Sequence, residues 1–504
     1  MSEGPEPTTG LAGRAARGAA WIVAARFVMR LFGFVNTIVL ARLLAPQDFG
    51  LVAVAVTAMQ LLQGFSDIGM SQAVVKFRDA DRADLDTLFT LSALRGAAIA
   101  ALLLAAAPLA AGFYGDPRMA WVFIGVAAQP LLAGLVNPRF FEFERNLDFS
   151  KEFISNAVNK FVGVAVSIIV AVVFRSYWAI ILGMVSGAAV QLALSYAMRP
   201  GLPRATFASL RKVLGFSGWL TGVSFMAALN NKLDAFVLAR VVGNTDTGHY
   251  YIGRQIGDLP TNELAGPIAR AIYPGLSALQ GDPARMRAAF LKGVEALAAI
   301  AMPAALGFAF IAGDLMMLLL GDKWAPAIPV VQILTPVLGL QTLFLATQSY
   351  AMALGRIRLV FFRELIFFLV RFPAFLWASL AFGLDGAIYA ATGAGLIHVL
   401  LNMTLYWRAT GRPLWEPVWA GRRSFAAAAG MAAYFLLVRP HFGGLAEAPV
   451  MLRLAADIAA GAAAFTGVHL AVWRAEGAPA GAETLLLGIA KSAASRFKKG
   501  PARA

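Results

Sequence analysis

Long apolar segments, each long enough to cross a membrane as a helix, alternate with short polar segments along the whole chain. A transmembrane helix needs about 20 consecutive, predominantly apolar residues to span the hydrocarbon core of a bilayer. By this measure the pattern predicts fourteen spans, and with them an all-α polytopic membrane protein. The spans lie near residues 19–44, 49–69, 85–112, 119–141, 153–174, 178–198, 213–241, 248–275, 290–312, 326–350, 360–382, 386–407, 424–438 and 450–473.

The first six spans and the next six are two copies of one unit. At an offset of 198 positions, Trp21 matches Trp219, and residues 39–42 match residues 237–240. Other matches at this offset are Phe27 with Phe225, Leu31 with Leu229, Asp48 with Asp246, and Gly50 with Gly248. Internal repeats of this kind are typical of transporter folds. The pattern therefore predicts two six-helix lobes followed by two C-terminal helices.

Lysine and arginine are unevenly distributed between the two sides of the membrane: the predicted loops, tails and span ends carry 29 on one side and 7 on the other. Because cytoplasmic loops carry the positive excess, this asymmetry predicts that both termini are cytoplasmic. The predicted parts are an N-terminal tail (1–18), a first lobe (19–198), a basic cytoplasmic linker (199–212), a second lobe (213–407), the two C-terminal spans (424–473) and a basic cytoplasmic tail (474–504). The last of these is either a solvated tail or a helix drawn to anionic membrane lipids.

Composition narrows the class further. A chain that is 59% hydrophobic and 14% charged, with a mean hydropathy of +0.69, is not a soluble globular protein. The absence of cysteine excludes disulfides and thiolate metal sites. The net charge of +15 is spread over the loops between spans, as membrane topology requires, so nucleic acid is not an expected partner.

Two arginines interrupt the first apolar segment. Arg26 and Arg30 are four positions apart, so they share one helix face, and they lie about 12 and 18 Å into the membrane at about 1.5 Å per residue. A charge at this depth is costly unless it faces protein or water. Since a guanidinium group pairs bidentately with phosphate and keeps its charge, both residues are predicted to bind a phosphate or diphosphate. The alternative for Arg26 is that it extends to the cytoplasmic surface.

The seventh and eighth predicted spans carry further charges. Glycine and proline recur through the eighth span, which predicts a broken helix that lines a cavity. The predicted substrate-binding residues are Arg26, Arg30, Arg95, Lys232 and Arg254, and the predicted ion-coupling residues are Asp234, Asp258 and Glu263. A carboxylate that is neutral in one state and ionised in another can couple transport to a proton or sodium gradient. The alternative is that Arg254 and Asp258, at i and i+4, simply neutralise each other.

Other intramembrane polar residues are assigned to packing by default. Interhelical contacts are expected for Lys160, Arg363 and Arg371, and they are the default alternative for Arg95, while His398 and Asn402 are expected to be packed polar groups. The chain has no G-x-x-x-x-G-K-[ST] phosphate-binding loop, no cluster of catalytic or metal-ligating residues, and no predicted loop large enough for a nucleotide-binding domain. ATP hydrolysis, an organic cofactor and a resident metal are therefore not expected.

Five short stretches resemble one family of membrane proteins, the polysaccharide transporters. They are LARLLAPQDFG at 40–50, ERNLDF at 144–149, AGPIARAIYP at 265–274, GDKWAP at 321–326 and ALGRIRL at 353–359. This family comprises flippases of lipid-linked oligosaccharides and is part of the MOP superfamily, with the MATE drug exporters and the lipid II flippases. The resemblance covers about residues 10–475 and is carried by these stretches as a set.

The resemblance implies a fold and a substrate. It implies two six-helix lobes around a central cavity, alternating access, and movement of undecaprenyl-diphosphate-linked oligosaccharide from the cytoplasmic to the periplasmic leaflet of the bacterial inner membrane. Other polysaccharide assembly proteins are then candidate partners. The family's substrate and coupling residues follow no strict motif, so the residues predicted above rest on burial and charge.

Two other functions stay open at this point. A MATE-type exporter of small cations would favour acidic residues in the first lobe, where this chain has Arg26 and Arg30. A membrane-embedded polymerase or ligase acting on the same lipid would need an extracytoplasmic active-site loop, and none of the predicted loops on that side is long enough.

Overall fold

The computed structural model describes residues 29, 32–66, 82–145, 149–210, 218–442, 444 and 447–479. In these ranges every regular element is a helix. Two compact units are present: the first consists of the chain up to Ala228 together with Gly243–Gly248, and the second of Leu229–Val242 together with the chain from His249 onward. The two units are described separately below.

Apart from a four-residue helix at Glu142–Arg145, six α-helices lie wholly within the described part of the first unit. They are α1 (Phe32–Leu43), α2 (Pro46–Phe65), α3 (Arg82–Tyr114), α4 (Arg118–Gly134), α5 (Phe149–Phe174) and α6 (Trp178–Met198). The fourth helix ends seven residues before the predicted end at 141. A separate 3₁₀ turn, Pro138–Phe141, follows, because Asn137 caps it by accepting a hydrogen bond from Arg139 N, and proline is well suited to the first helical position.

Close approach of α3 and α4 organises the core of this unit. A Cβ atom on Gly96 would lie 2.4 Å from Pro130 O, and one on Gly134 would lie 2.5 Å from Ser92 O. Small residues that allow two backbones to touch are characteristic of helix pairs in membranes, where association depends on packing rather than on exclusion of water. The turn between these helices contains Asp116, whose carboxylate accepts hydrogen bonds from the Arg118 guanidinium and from Asn244 Nδ2.

The linker contacts the opposite end of α3. Arg204 N donates to Asp86 Oδ1 at 3.1 Å, and Thr206 N donates to Thr90 Oγ1 at 2.9 Å. Asn137 Nδ2 donates to Arg199 O at 2.8 Å in the same region. The predicted cytoplasmic linker therefore lies at the N-terminal end of α3, near Arg82. The turn at Asp116 lies at the C-terminal end of the same helix.

The remaining helices follow in chain order. They are α7 (Gly218–Lys232), α8 (Asp234–Val241), α9 (Gly243–Gly257), α10 (Leu259–Leu264), α11 (Gly266–Ser277), α12 (Pro283–Leu319), α13 (Ile328–Leu343), α14 (Leu345–Ala353), α15 (Ile357–Thr410), α16 (Glu416–Ala420), α17 (Arg422–Ala433) and α18 (Val450–Ala475). Residues at the start of α7 and of α9 belong to the first unit, and the rest to the second.

Two interruptions predicted from the sequence are confirmed. The eighth span is broken at Asp258 and at Ala265, so it forms the three short helices α9, α10 and α11. The run α15 is two helices that meet at Gly383, which has a left-handed φ of 62° and separates the predicted spans 360–382 and 386–407. Glycine adopts this conformation without the steric cost that a Cβ atom imposes.

Ion pairs fasten the C-terminal helices to α12. At one end Arg423 pairs with Glu295 at 3.0 Å, and Arg287 pairs with Glu416. At the other end Arg453 Nη2 lies 2.5 Å from Asp314 Oδ1. Aromatic stacking of Phe310 on Phe435, with ring centroids 4.5 Å apart, fills the space between these ends.

The chain is a multi-pass membrane protein. Eight of the described helices are long and apolar enough to cross a bilayer, and α1 and α4 are shorter apolar helices. The all-helical fold class is confirmed, while the total of fourteen spans stays a prediction. The first predicted span, 19–44, is described only at Met29 and from Phe32 onward.

Candidate functional site

Three of the predicted site residues lie outside what the structure describes. Neither Arg26 nor Arg30 is among the described residues of the first span, and their phosphate-binding role stays a prediction. Glu263 is in α10, but its side chain is not described. The other predicted residues are Arg95 in the first unit and Lys232, Asp234, Arg254 and Asp258 in the second.

Asp234 is the centre of a buried ion cluster in the second unit. Arg371 Nη2 lies 2.5 Å from Asp234 Oδ1 and 2.7 Å from Oδ2, and Arg254 Nη1 lies 2.5 Å from Oδ2. Tyr250 donates its hydroxyl to the same oxygen at 2.9 Å. The side chains of Asp234 and Arg371 are only 6% and 7% exposed. Two guanidinium groups and a phenol therefore engage both oxygens of this carboxylate. Asp234 is also the first residue of α8, a position at which the helix dipole favours negative charge.

The structure contradicts the alternative pairing of Arg254 with Asp258. Arg254 forms its ion pair with Asp234, twenty residues earlier. The helical backbone does reach Asp258, whose N–H donates to Arg254 O at 2.9 Å, so the two side chains stay apart because Asp234 holds the Arg254 guanidinium. Among the described residues, the Asp258 carboxylate makes no hydrogen bond or ion pair, although the charges of Arg254 and Lys232 act on it.

A second buried cluster surrounds Arg363. Its guanidinium donates to Glu364 Oε1 at 2.5 Å, to Asn402 Oδ1 at 2.6 Å and to Gln348 Oε1 at 3.1 Å. His398 Nε2 lies 3.3 Å from Arg363 Nη1. The prediction that Arg363 makes interhelical contacts is confirmed, as is the packing role of Asn402, which also donates to His398 O at 2.8 Å.

Sequence reasoning missed three members of these clusters, Tyr250, Gln348 and Glu364. Arg363 and Arg371 are eight positions apart, so they lie on one face of α15, and this spacing was the available signal for a shared polar surface. Glu364 joins the surface through Asn230, whose Nδ2 donates to Glu364 Oε2 at 2.9 Å and to Glu364 O at 3.0 Å. The clusters thus connect α7 and α8 to α15.

A polar cavity of about 80 Å³ lies between the two clusters, within the second unit. Its wall includes Arg254 and Arg371 from the first cluster, Glu364 and His398 from the second, and the amide side chain of Gln341 from α13. Three arginines, at 254, 363 and 371, accompany two carboxylates, at 234 and 364, so the described clusters carry one excess positive charge. An arrangement of this kind favours an anionic or strongly hydrogen-bonding guest.

Arg95 and Lys232 have different surroundings. Arg95 Nε donates to Ser66 Oγ at 3.0 Å and Nη2 donates to Gln63 O at 2.9 Å, which places its charge at the C-terminal end of α2. A cation there is stabilised by the helix dipole and by the terminal carbonyl groups. Lys232 is exposed at the end of α7. The predicted substrate-binding roles of both residues stay predictions.

The repeat-related glycines Gly50 and Gly248 make a reciprocal contact inside the first unit. A Cβ atom on Gly50 would lie 1.9 Å from Asn244 O, and one on Gly248 would lie 1.9 Å from Pro46 O. Both distances are far below any contact that a real Cβ atom makes, and both involve backbone. The first turns of α2 and α9 therefore touch through their backbones, and only glycine fits at either position.

These features define a class. An all-helical multi-pass protein, with a membrane helix broken at a charged residue and a polar, charge-rich cavity inside the helical bundle, has the construction of a membrane transporter. More particularly, the chain belongs to the polysaccharide biosynthesis protein family, whose model matches residues 39–329.

Comparisons with individual proteins agree with this assignment. The chain is 26% identical over 398 residues to the lipopolysaccharide biosynthesis protein WzxC of Escherichia coli K12, covering 77% of this chain and 79% of the relative. It is 24% identical over 455 residues to the succinoglycan biosynthesis transport protein ExoT of Rhizobium meliloti 1021, covering 89% and 91%. The solved structure of the lipid II flippase MurJ, in an inward closed conformation, has the same fold: the TM-score is 0.69 at 13% identity, over 90% of this chain and 98% of that one.

Proposed function

We propose that this protein is a flippase that carries undecaprenyl-diphosphate-linked oligosaccharide repeat units from the cytoplasmic to the periplasmic leaflet of the bacterial inner membrane, by alternating access. It serves the assembly of a surface or secreted polysaccharide. The observation that carries the proposal is the match to ExoT, named a succinoglycan biosynthesis transport protein, over about nine-tenths of both chains. The family match and the name of WzxC support the same substrate class.

Flipping of a lipid-linked oligosaccharide is preferred over the other two functions. A membrane-embedded polymerase or ligase is disfavoured because the relative aligned over most of this chain is named for transport. A MATE-type exporter of cations is disfavoured by the buried cluster in the second unit, where Arg254 and Arg371 both engage Asp234. With the carboxylate occupied by two guanidinium groups, a cationic substrate finds repulsion rather than a binding group there.

Purified protein in liposomes tests the function directly. Fluorescent undecaprenyl-diphosphate-linked oligosaccharide is incorporated in both leaflets, and the fraction protected from a membrane-impermeant quencher is followed with time. We expect liposomes that contain the parent protein to flip the lipid, and protein-free liposomes not to flip it on the same time scale. Equal rates in the two preparations, or transport of a small cationic dye in place of the lipid, would contradict the proposal.

The orientation of the loops is a further prediction. Residues 76–82, 199–212, 281–287 and 412–423 are expected to be cytoplasmic. Residues 114–118, 243–247 and 439–448 are expected to be periplasmic. The hydrogen bond from Asn244 Nδ2 to Asp116 Oδ2, at 3.1 Å, supports the placement of two predicted periplasmic loops at one end.

Single cysteines test this topology without background, because the chain contains no cysteine. One cysteine is placed in each loop, and intact spheroplasts are treated with an impermeant maleimide. We expect labelling at positions in 114–118 and 439–448, and none at positions in 199–212 until the membrane is opened. Labelling of 199–212 in intact spheroplasts would reverse the predicted orientation.

Coupling to an ion gradient is the third element of the proposal, because the sequence contains no ATP-binding loop. Among the described carboxylates, Asp258 is the one best suited to the role. It lies at the break of the eighth span and makes no hydrogen bond or ion pair with the described residues, whereas Asp234 is occupied. Arg254, the residue that could have neutralised Asp258, forms its ion pair with Asp234 instead.

Asp258→Asn tests the coupling site. The asparagine keeps the shape of the side chain but removes its charge and its ability to bind a proton or Na⁺. We expect the variant to flip lipid without responding to an imposed proton or sodium gradient, while the parent accelerates. Asp246→Asn, in the first turn of α9, is the matched control and is expected to respond like the parent. An unchanged gradient response in Asp258→Asn would remove this residue from the coupling mechanism.

A further inference from the structure

Three exposed tryptophans lie at the end of the second unit where α15 ends and α17 begins. Trp407, Trp415 and Trp419 are 49%, 62% and 64% exposed. Trp407 continues a stripe of exposed leucines on α15, Leu396 and Leu400, which lie eleven and seven positions before it on the same helix face. Membrane proteins place tryptophan at the level of the lipid headgroups, where its ring meets apolar chains and its N–H meets water. The stripe therefore faces the hydrocarbon and reaches the membrane surface at Trp407.

The short helix α16 holds the other two tryptophans at this surface. Trp419 N donates to Trp415 O at 2.9 Å, so the two rings, four positions apart, lie on one face of the turn. Between them, Glu416 is fastened to the protein, because its carboxylate accepts hydrogen bonds from Arg287 of α12 and Tyr406 of α15. The turn is thus fixed on its inner side, and both rings stay on the outer surface.

Unbalanced positive charge accompanies the tryptophans. The segment that joins α15 to α17 contains one carboxylate, Glu416, and its charge is neutralised by the ion pair with α12. Arg422 and Arg423 are paired with carboxylates as well. Arg408 and Arg412 are exposed, and neither guanidinium group makes a hydrogen bond or ion pair with the described residues. The surface therefore carries two unbalanced charges beside exposed aromatic rings.

We propose that this tryptophan–arginine surface, formed by Trp407, Arg408, Arg412, Trp415 and Trp419, binds the headgroup of an anionic phospholipid in the adjacent leaflet. Arginines next to a membrane attract anionic lipid, and a phosphate accepts hydrogen bonds from guanidinium groups. A zwitterionic phospholipid brings a cation with its phosphate, so it gains less from two unbalanced arginines. The occupant is a lipid because the surface continues directly into the hydrocarbon-facing stripe of α15. This site lies outside the polar cavity and is independent of the lipid that is transported.

Purified full-length protein, delipidated in detergent, tests the proposal. It is titrated with phosphatidylglycerol or with phosphatidylcholine of the same acyl chains. The readouts are the lipids retained per protein in native mass spectrometry and the thermal unfolding midpoint. We expect phosphatidylglycerol to be retained more tightly and to raise the midpoint more. Arg408→Gln combined with Arg412→Gln is expected to weaken phosphatidylglycerol binding about tenfold, the contribution of two basic residues at a membrane surface, and to leave phosphatidylcholine binding unchanged.

A matched double variant controls for total charge. Arg285→Gln combined with Arg356→Gln removes two exposed arginines near the starts of α12 and α15, on the same predicted side of the membrane. This variant is expected to bind both lipids as the parent does. Equal retention of the two lipids by the parent, or an equal loss in both double variants, would reduce the surface to nonspecific charge.

Two other results also overturn the lipid site. Full retention of phosphatidylglycerol by the variant that lacks Arg408 and Arg412 would place the lipid elsewhere. Tighter capture of soluble polyglutamate than of phosphatidylglycerol would make the surface a docking site for an acidic soluble partner.

Discussion

Gly50→Ala is expected to destabilise the protein by about 3 kcal/mol, at the upper end of the cost of overpacking. The added Cβ atom would lie 1.9 Å from Asn244 O, and the obstacle is backbone, so no side-chain rotation relieves it. The first turns of α2 and α9 must move apart, which also strains the hydrogen bond between Asn244 and Asp116. The measurement is the free energy of unfolding or the thermal midpoint in nanodiscs, together with lipid flipping at matched protein amount.

Two further glycine variants complete this test. Gly248→Ala is expected to cost nearly the same, because its Cβ atom would meet Pro46 O at the same 1.9 Å. Gly112→Ala, in α3, is the control: nothing lies within 4 Å of its Cβ position, and alanine favours a helix. A midpoint for Gly50→Ala equal to that of Gly112→Ala would show that the backbones do not touch.

Asp234→Ala is expected to have the largest effect of any single charge removal among the described residues, about 3–5 kcal/mol. It leaves Arg254 and Arg371 without the carboxylate that holds both, and the Arg371 side chain is only 7% exposed, so its charge cannot be solvated in place. Tyr250 loses its hydrogen-bond acceptor as well. The check is a fall in thermal midpoint and in the yield of folded protein.

Two variants test whether unpaired buried charge causes the loss of stability in Asp234→Ala. Asp234→Ala combined with Arg371→Met is expected to recover part of the lost stability, because one of the stranded charges is removed. Asp116→Ala, whose partner Arg118 is 45% exposed, is expected to cost about 1 kcal/mol or less. The Arg118 hydrogen bond lowers the pKa of the Asp116 carboxyl, so this small contribution is present at pH 7 and is lost only as the pH falls through the lowered value. Equal costs for Asp234→Ala and Asp116→Ala would contradict the buried cluster.

The broken helices were predictable from sequence because their cause is local. Gly383 and the Gly/Pro-rich stretch from Gly253 to Pro274 interrupt helices through their backbone geometry. In the structure, the helices are interrupted at Gly383, Asp258 and Ala265. The repeat was equally visible, since matching residues recur at one offset. These features depend on neighbours in the chain or on simple comparison of two segments.

The partners of the buried charges were not predictable in the same way. Helix-face arithmetic paired Arg254 with Asp258, four residues on, but the structure pairs it with Asp234 and brings in Arg371 from 137 residues beyond that carboxylate. This choice of partner depends on which helices pack together, and a spacing of three or four residues along one helix does not contain that information. Glu364 was missed for the same reason, because its partner Asn230 is 134 residues away.

The contact between the first turns of α2 and α9 has the form of an isologous interface. In a twofold dimer, residue i of one subunit touches residue j of the other, and j touches i. At the offset of 198, Pro46 corresponds to Asn244 and Gly50 to Gly248, so the paired contacts are one surface meeting its own duplicate. A half-length ancestor that dimerised through this glycine would already have held the contact, and gene duplication with fusion would retain it inside one polypeptide. Gly50 and Gly248 therefore meet the same steric constraint, although the charged residues of the two halves differ.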